Sequence, residues 1–255
     1  MTTLAVIIAR AGSKGLVNKS MQRLGGKPLV AWTIEHALGC RLVDHVVLTT
    51  DGPDIFEVGR SYGIQVYERP AELATDSVTI DAAARHGVSS WEAEHGRAAD
   101  RVAIMYANVA LRPVDLTDRA VSKLIDSGAD SVQSLTPVGK MHPLWMRTLS
   151  DGPEGPDGVL GMYQPNRIYR RQDLPPVYMI DAGALVVTRC SLFDVNPEEP
   201  HAFLGSDRRG IAIEPGEVVD VDSKLDLRFA EVLLAERGGP GVPSAQPDRK
   251  LGLAS

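Results

Sequence analysis

The 255-residue chain has only two cysteines, no excess of positive charge and no long apolar run. Cys40 and Cys190 cannot form a disulfide framework or a multi-cysteine metal site, and so few cysteines suit a reducing compartment. A net charge of −6 gives no overall attraction to nucleic acid or to an anionic membrane. We see no signal peptide and no segment long enough to cross a bilayer. We therefore expect a cytoplasmic protein without nucleic-acid or membrane partners.

Strand-like and helix-like segments alternate along the chain, which predicts an α/β fold with a mostly parallel sheet covered by helices. One domain is expected over residues 1–236, with a disordered, Gly- and Pro-rich tail at 237–255. A helix is predicted from about residue 77 to 95, capped by Asp76 or Ser77. Residues 137–180 contain a long stretch rich in Pro, Gly and Arg without clear periodicity, so this excursion is either functional or in contact with a partner.

A basic, glycine-containing loop follows the first apolar strand, residues 4–8. Its glycines let the backbone approach a ligand closely, and its cations lie at the carboxyl end of a strand. This combination predicts a polyanion site, most simply for a nucleoside triphosphate. The spacing of the glycines fits neither the P-loop nor the Rossmann pattern, and a solvated basic loop is the alternative. The residues concerned are Arg10, Gly12, Ser13, Lys14, Gly15 and Lys19.

Two aspartates, Asp220 and Asp222, lie among valines just before the last predicted helix, which begins at Ser223. Positions two apart on a strand point to the same side, so the two carboxylates would repel each other unless a cation lies beside them. Mg²⁺ fits, because it binds one or two carboxylates together with water and phosphate oxygens. The alternative is a helix-capping pair without a ligand.

Taken as a string, Arg-x-Gly-Ser-Lys-Gly-x-x-x-Lys at residues 10–19, followed by Gly-Lys-Pro-Leu at 26–29, resembles the opening of the CMP-sugar cytidylyltransferases. These are the CMP-sialic acid (acylneuraminate) synthetases and relatives that act on other 2-keto sugar acids. Val-Asp-Val-Asp-Ser at 219–223 is similar to the family motif whose two aspartates hold magnesium. The resemblance implies a nucleotide-diphosphosugar transferase-like α/β sandwich with a central mixed sheet.

The resemblance also implies roles for individual residues at the nucleotide end. Arg10, Lys14 and Lys19 would hold the triphosphate, and the backbone from Ala9 to Gly12 would receive cytosine and ribose. Arg69 opens Arg-Pro-Ala-Glu-Leu-Ala-Thr-Asp at 69–76, which is similar to the family segment that approaches cytidine and triphosphate. From its residues alone, that segment is an ordinary loop and helix cap.

At the sugar end the chain departs from the family. After the central strand it has Tyr106-Ala-Asn-Val-Ala-Leu-Arg112, where sialic-acid enzymes commonly have Gln-Pro-Thr-Ser-Pro-Leu-Arg. Ser20 replaces the asparagine that usually follows the lysine of the loop, and Asp181-Ala-Gly183 replaces Asn-Gly-Ala. The segment Arg170-Arg-Gln-Asp-Leu-Pro resembles the sugar-facing wall, which in the family reaches across a dimer. The residues expected to bind the sugar are Tyr106, Arg112, Arg170, Arg171, Gln172 and Asp181.

The reaction implied by the resemblance is Mg²⁺-dependent transfer of CMP from CTP to a 2-keto sugar acid, with release of pyrophosphate, by a homodimer. Arg10, Lys19 and Asp222 are expected to be the catalytic residues. Two alternatives stay open on the sequence. One is a nucleotidyltransferase with another nucleotide or sugar, and the other is a non-catalytic nucleotide-binding relative.

Overall fold

Strands and helices alternate in the computed structural model, which describes residues 1–12, 15–152, 155–161, 167–194, 196, 199 and 201–238. The strands of this described part are Thr3–Ile8 (β1), Arg23–Leu24 (β2), Lys27–Pro28 (β3), His45–Thr50 (β4), Gln65–Glu68 (β5), Arg101–Tyr106 (β6), Val109–Leu111 (β7), Ser131–Pro137 (β8), Arg147–Gly152 (β9), Gly155–Gly161 (β10), Tyr178–Thr188 (β11), Arg208–Ala212 (β12) and Val219–Asp220 (β13). Its α-helices are Leu29–Gly39 (α1), Pro53–Ser61 (α2), Ile80–His95 (α3), Leu116–Ser127 (α4), Arg189–Leu192 (α5) and Lys224–Glu236 (α6).

Seven strands form the central sheet, in the order β12-β8-β11-β6-β1-β4-β5. All neighbouring pairs are parallel except those of β11, which runs antiparallel to both β6 and β8. The predicted mixed, mostly parallel sheet is therefore confirmed. Because β1, β4 and β6 are parallel neighbours, the loops that follow them meet at one edge of the sheet.

Helices cover both faces of the sheet, as the sequence predicts. Alternate residues of β1 face opposite sides: Ala5 and Ile7 pack with α1 and α4, whereas Leu4 and Val6 pack with α3. On the α3 side, Gly87 lies so close to β1 that a Cβ atom there would be 2.6 Å from a methyl carbon of Val6. The two cores fix the position of the strand ends that carry the polar loops.

A third, smaller core joins parts of the chain that are far apart in sequence. Leu16 of the basic loop packs in it with Val219 and Val221, which flank Asp220, and with Leu234 of α6. The short ladder between β7 and β13 holds the same segment against the end of the central strand. The packing of these apolar side chains therefore brings the basic loop to the two aspartates.

Two local expectations are wrong. Helix α3 begins at Ile80 and its cap is Thr79, whose side chain accepts a hydrogen bond from the amide of Ala82. Asp76 and Ser77 lie before the helix, and the carboxylate of Asp76 binds Arg10 instead. The excursion at 137–180 is also more regular than expected, because β9 and β10 form an antiparallel hairpin within it.

The C-terminal tail falls mostly outside the described residues. Of the predicted tail at 237–255, only Arg237 and Gly238 are described, and Arg237 donates a hydrogen bond to the carbonyl of Gly216. No helix of the described part is both long and apolar enough to cross a membrane.

The interface between α1 and α4 contains a half-buried histidine, His36, whose Nε2 lies 2.8 Å from the hydroxyl of Thr117. Burial and, secondly, the positive charge of Arg112 lower the pKa of His36 to about 3. The unfolded chain binds a proton at this histidine below its ordinary pKa of 6.5, but the folded chain does not. Stability that is present above pH 6.5 is therefore lost as the pH falls toward 3.

Because only the unfolded chain binds this proton, we expect the free energy of unfolding to fall by about 2 kcal/mol between pH 7 and pH 5. Urea denaturation at the two pH values measures the difference. His36→Gln keeps a polar partner for Thr117 but cannot titrate, so its loss over the same interval should be smaller by about that amount. Equal losses in the variant and the parent protein would contradict the assignment.

Candidate active site

A cleft opens where β1, β5 and β6 end. It is lined by Ile8, Ala9, Arg10, Lys19, Ser20, Arg69, Leu73, Thr75, Asp76, Val78, Thr79, Ile80, Ala83, Tyr106, Ala107 and Asn108. The carboxyl edge of a parallel sheet is the usual ligand site of open α/β folds. Four predicted nucleotide-binding residues lie here: Ala9, Arg10, Lys19 and Arg69.

The basic loop is held at the base of the cleft by its own backbone. The amide of Ala9 donates to the carbonyl of Thr49 over 3.2 Å, and that of Ala11 donates to the carboxylate of Asp51 over 2.9 Å. Arg10 forms an ion pair with Asp76, 2.5 Å between Nη1 and Oδ1. Arg10 therefore projects across the cleft toward the segment that precedes α3. Two further predicted ligands, Ser13 and Lys14, lie outside the described residues.

The two glycines of the loop have different surroundings. A Cβ atom at Gly15 would lie 3.1 Å from the carbonyl oxygen of Asp222, so a side chain there would crowd the acidic segment. A Cβ atom at Gly12 would have no neighbour within 4 Å among the described residues. Close backbone approach is thus required at Gly15.

The acidic pair lies directly beside the loop. Asp220 is the last residue of β13. Asp222 is predicted to lie on the same strand, but the structure places it between β13 and α6. Ser223 and Asp226 have the spacing of a capping box, and the structure confirms this prediction, since they exchange both of its hydrogen bonds at the start of α6. The Nζ atom of Lys19 is 2.5 Å from Oδ1 of Asp222. The structure thus brings together the basic loop and the acidic pair, which are about two hundred positions apart in sequence.

Negative charge accumulates at this end of the cleft. Burial, followed by repulsion from Asp222, raises the pKa of Asp220 to about 6, although Lys19 and Asn108 act in the opposite direction. Burial, followed by the charges of Asp220 and Asp81, raises the pKa of the Tyr106 phenol to about 12. Burial is the main cause of both shifts, and the negative charge of Asp220 and Asp222 contributes to them.

The donor chemistry of this pair fits Mg²⁺, which takes few protein carboxylates and fills its remaining positions with water and phosphate oxygens. In the described part of the chain, no group of three or more His, Cys, Asp or Glu side chains is arranged to hold a metal ion. A Mg²⁺ ion at Asp220 and Asp222 would therefore fill its remaining positions with water or with oxygens of a bound phosphate.

Asn108 is a site residue that the sequence analysis missed. Its Nδ2 atom donates to the carboxylates of both Asp220 and Asp222 and lies 3.4 Å from the carbonyl of Val221. It follows β6 after a single residue, at the same edge as the basic loop. Its position just past the end of a central parallel strand is the signal that would have found it.

Arg69 lies at the base of the cleft rather than on its surface, and only 6% of it is exposed. Its Nε and Nη2 atoms donate to the hydroxyl and the carbonyl of Thr49, at 3.2 and 2.6 Å. Burial lowers its pKa, with a smaller opposing effect from Asp51. Because Thr49 also bonds to His86, the guanidinium of Arg69 is part of a buried network under the nucleotide end of the cleft.

The residues predicted to bind the sugar are dispersed. Tyr106 lines the cleft, but Arg112 is buried behind it and donates to the carbonyls of Val109 and Gly183 and to the hydroxyl of Thr33. Asp181 accepts hydrogen bonds from Ser134 and Thr136.

The other three predicted sugar ligands, Arg170, Arg171 and Gln172, lie on an exposed turn, where Arg170 pairs with Asp173. The roles of all six residues in sugar binding stay predictions. What the structure adds is that Arg112 and Asp181 make extensive contacts with the protein itself.

A mixed α/β sheet with a cationic loop and an acidic pair at its carboxyl edge defines a nucleotide-binding enzyme of the nucleotidyltransferase class. The sequence profile of the cytidylyltransferases matches residues 4–143, more than half of the chain. The protein belongs to the cytidylyltransferase family, which confirms the resemblance seen in its motifs.

Relatives match over nearly the whole length of the chain. The pseudaminic acid cytidylyltransferase of Campylobacter jejuni is 27% identical over 244 residues, covering 91% of this chain and 96% of its own. The CMP-N,N'-diacetyllegionaminic acid synthase of Legionella pneumophila is 27% identical over 236 residues, covering 92% and 97%. A solved structure of CMP:2-keto-3-deoxy-manno-octonic acid synthetase with CTP shares the fold, with a TM-score of 0.66 at 16% identity and coverage of 92% and 99%.

Proposed function

We propose that the protein transfers CMP from CTP to the anomeric hydroxyl group of a nine-carbon 2-keto sugar acid (a nonulosonate) and releases pyrophosphate. The observation that carries this proposal is the contact of Lys19 with Asp222, with Gly15 packed against the backbone of the same aspartate. A cationic loop and an acidic pair in contact are suited to grip one metal–triphosphate complex. The sugar acid class is supported by the names of the full-length relatives.

In this reaction the anomeric oxygen forms a bond to the α-phosphorus of CTP. The bond from that phosphorus to the bridging oxygen breaks, pyrophosphate leaves, and the hydroxyl proton is released. No covalent enzyme intermediate is needed, so positioning and electrostatic stabilisation dominate catalysis. Arg10 and Lys19 would bind phosphate oxygens, and the backbone at residues 9–12, above Arg69, would receive the nucleoside.

Mg²⁺ is proposed as the cofactor, held by Asp220 and Asp222. When bound, it neutralises charge on phosphate oxygens and makes an attacking hydroxyl group more acidic. Lys19 would then leave Asp222 and bind the triphosphate, because the metal ion would supply positive charge to the two carboxylates. The repulsion between the two neighbouring carboxylates supports this assignment, since a second positive charge beside the pair would relieve it.

A homodimer and a cytoplasmic location stay predictions. Support for the dimer comes from apolar side chains on and beside the excursion that are exposed in the monomer. Leu149 is 71% exposed, and Met179 and Ile180 at the start of β11 are 53% and 59% exposed. Large exposed apolar side chains in a segment outside the central sheet fit a region that packs against a partner.

Incubation with CTP, Mg²⁺ and single acceptors tests the proposed function. The acceptors are sialic, legionaminic, pseudaminic, deaminated neuraminic and octulosonic acids, and products are scored by pyrophosphate release and mass spectrometry. We expect a CMP-sugar from at least one nine-carbon acid, with CTP strongly preferred over ATP, GTP and UTP. Preference for another nucleotide would indicate the alternative nucleotidyltransferase. CTP binding without pyrophosphate release from any acceptor would indicate a non-catalytic relative.

A further inference from the structure

The side chain of Asn108 lies at the junction of three elements of the cleft. Its backbone carbonyl accepts a hydrogen bond from the amide of Val221 over 3.0 Å, which fixes the acidic segment to the end of β6. Its Nδ2 atom donates to Oδ1 of Asp220 and, over 3.2 Å, to Oδ1 of Asp222. One neutral amide group therefore bonds to one oxygen of each carboxylate.

The other contacts of the pair show why this matters. Lys19 bonds to Asp222 but not to Asp220. Within the described residues, Asn108 is the side chain that donates to Asp220. Without it, repulsion between the carboxylates would favour conformers in which their oxygens turn apart. Part of the binding free energy of a cation would then be lost in bringing the two carboxylates together again.

The uncharged nature of the amide is equally important. A lysine at position 108 would neutralise the pair and compete with a divalent cation for it. An aspartate would add a third repelling charge, and a hydroxyl side chain has only one hydrogen to donate, whereas the amide has two. Asparagine aligns the two carboxylates and leaves their negative charge available.

We infer that Asn108 is a positioning residue that holds Asp220 and Asp222 in a shared arrangement that receives one divalent cation. The inference rests on the proposed metal site at this pair. It assigns to Asn108 an effect on metal affinity that is exerted through the carboxylates, with no contact to the sugar acid or the base. Groups that orient metal ligands change metal affinity by about 10- to 100-fold when they are removed.

The test measures metal binding apart from turnover. Binding of Mn²⁺ to the protein with CTP and no acceptor is followed by electron paramagnetic resonance. We expect Asn108→Ala to weaken Mn²⁺ binding about tenfold. In assays, the Mg²⁺ concentration for half-maximal turnover should rise similarly, while saturating Mg²⁺ restores most of kcat. A purely structural role would lower kcat and the melting temperature at every Mg²⁺ concentration.

Three further variants make the outcome decisive. Asn108→Thr keeps one donor and should bind Mn²⁺ with intermediate affinity, which also serves if the alanine variant fails to fold. Ser122→Ala removes a hydrogen bond to a carboxylate, that of Asp126 on α4, away from the cleft, and should leave Mn²⁺ binding unchanged. Asp222→Asn tests the metal site itself.

Wild-type affinity in both Asn108 variants, with loss in Asp222→Asn, would overturn the role of Asn108 and leave the metal site intact. Wild-type affinity in Asp222→Asn would instead show that the proposed metal site is wrong, and the role of Asn108 would fail with it.

Discussion

Replacing Asp222 with alanine is expected to lower kcat by about 10²- to 10³-fold, the usual effect of removing one group that stabilises developing charge. The carboxylate is both a proposed metal ligand and the partner of Lys19. The fold should survive, because 67% of the Asp222 side chain is exposed and an ion pair of that exposure contributes about 1 kcal/mol or less. Steady-state kinetics and thermal denaturation of the same preparation separate the two effects.

Lys19→Ala is expected to cause a comparable loss, because the ammonium group is the cation of the described loop that contacts the acidic pair. The effects of residues that act as one unit do not add. The kcat of the double variant, with alanine at both positions, should therefore be little lower than that of the less active single variant. Lys27→Ala is the matched control, since Lys27 forms an ion pair with Glu35 outside the cleft. Near wild-type kinetics in either single variant would remove that residue from the proposed mechanism.

The sequence predicts the central fold well because its strands and helices have strong local signals. The apolar run at His45–Thr50 predicts a strand, and the structure has one with these bounds. A glycine is the typical residue after the end of a helix, and Gly128 has φ 65° at the end of α4. Ser223 and Asp226 form the predicted capping box. Each of these features depends on neighbours within a few positions.

Elements with weak patterns were not predicted. The β9–β10 hairpin includes Asp151-Gly152 and a glycine-rich return strand, which carry no alternation of apolar and polar residues. β12 has one buried apolar side chain, Ile211, and its pairing with β8 is decided by the tertiary fold. The sequence does not indicate Thr79 as the helix cap, because Asp76 and Ser77 are equally good capping residues. The ion pair that Asp76 forms with Arg10 is visible only in the structure.

The candidate site divides in the same way. The basic loop and the acidic pair were predicted because each is a compact group of residues with a recognisable charge pattern. Asn108 is a single asparagine in an apolar context, and its role depends on two aspartates more than one hundred positions away. The sugar-binding role of Arg112 stays a prediction, but its contacts with Gly183 and Thr33 could not be predicted, because these partners lie more than seventy positions away in sequence.

Arg112 gives the second large effect. It is 8% exposed, and its guanidinium group donates to Gly183, Thr33 and Val109. Burial lowers its pKa to about 10, so it keeps its charge at neutral pH and draws on these acceptors to stabilise that charge. Arg112→Met keeps much of the volume but leaves the acceptors without their donor. We expect a loss of about 3–5 kcal/mol of unfolding free energy, measured by urea denaturation at pH 7.5.

Arg112→Lys distinguishes the predicted sugar role from the structural one. A lysine ammonium cannot span the acceptors that the planar guanidinium reaches, so stability should again fall, by about 1–3 kcal/mol. If the role is structural, the surviving folded enzyme should keep a near wild-type KM for the sugar acid. A large rise in this KM with unchanged stability would instead support the predicted sugar contact.

Because the charge of Arg112 helps to lower the pKa of His36, Arg112→Met should also make the loss of stability in acid less steep.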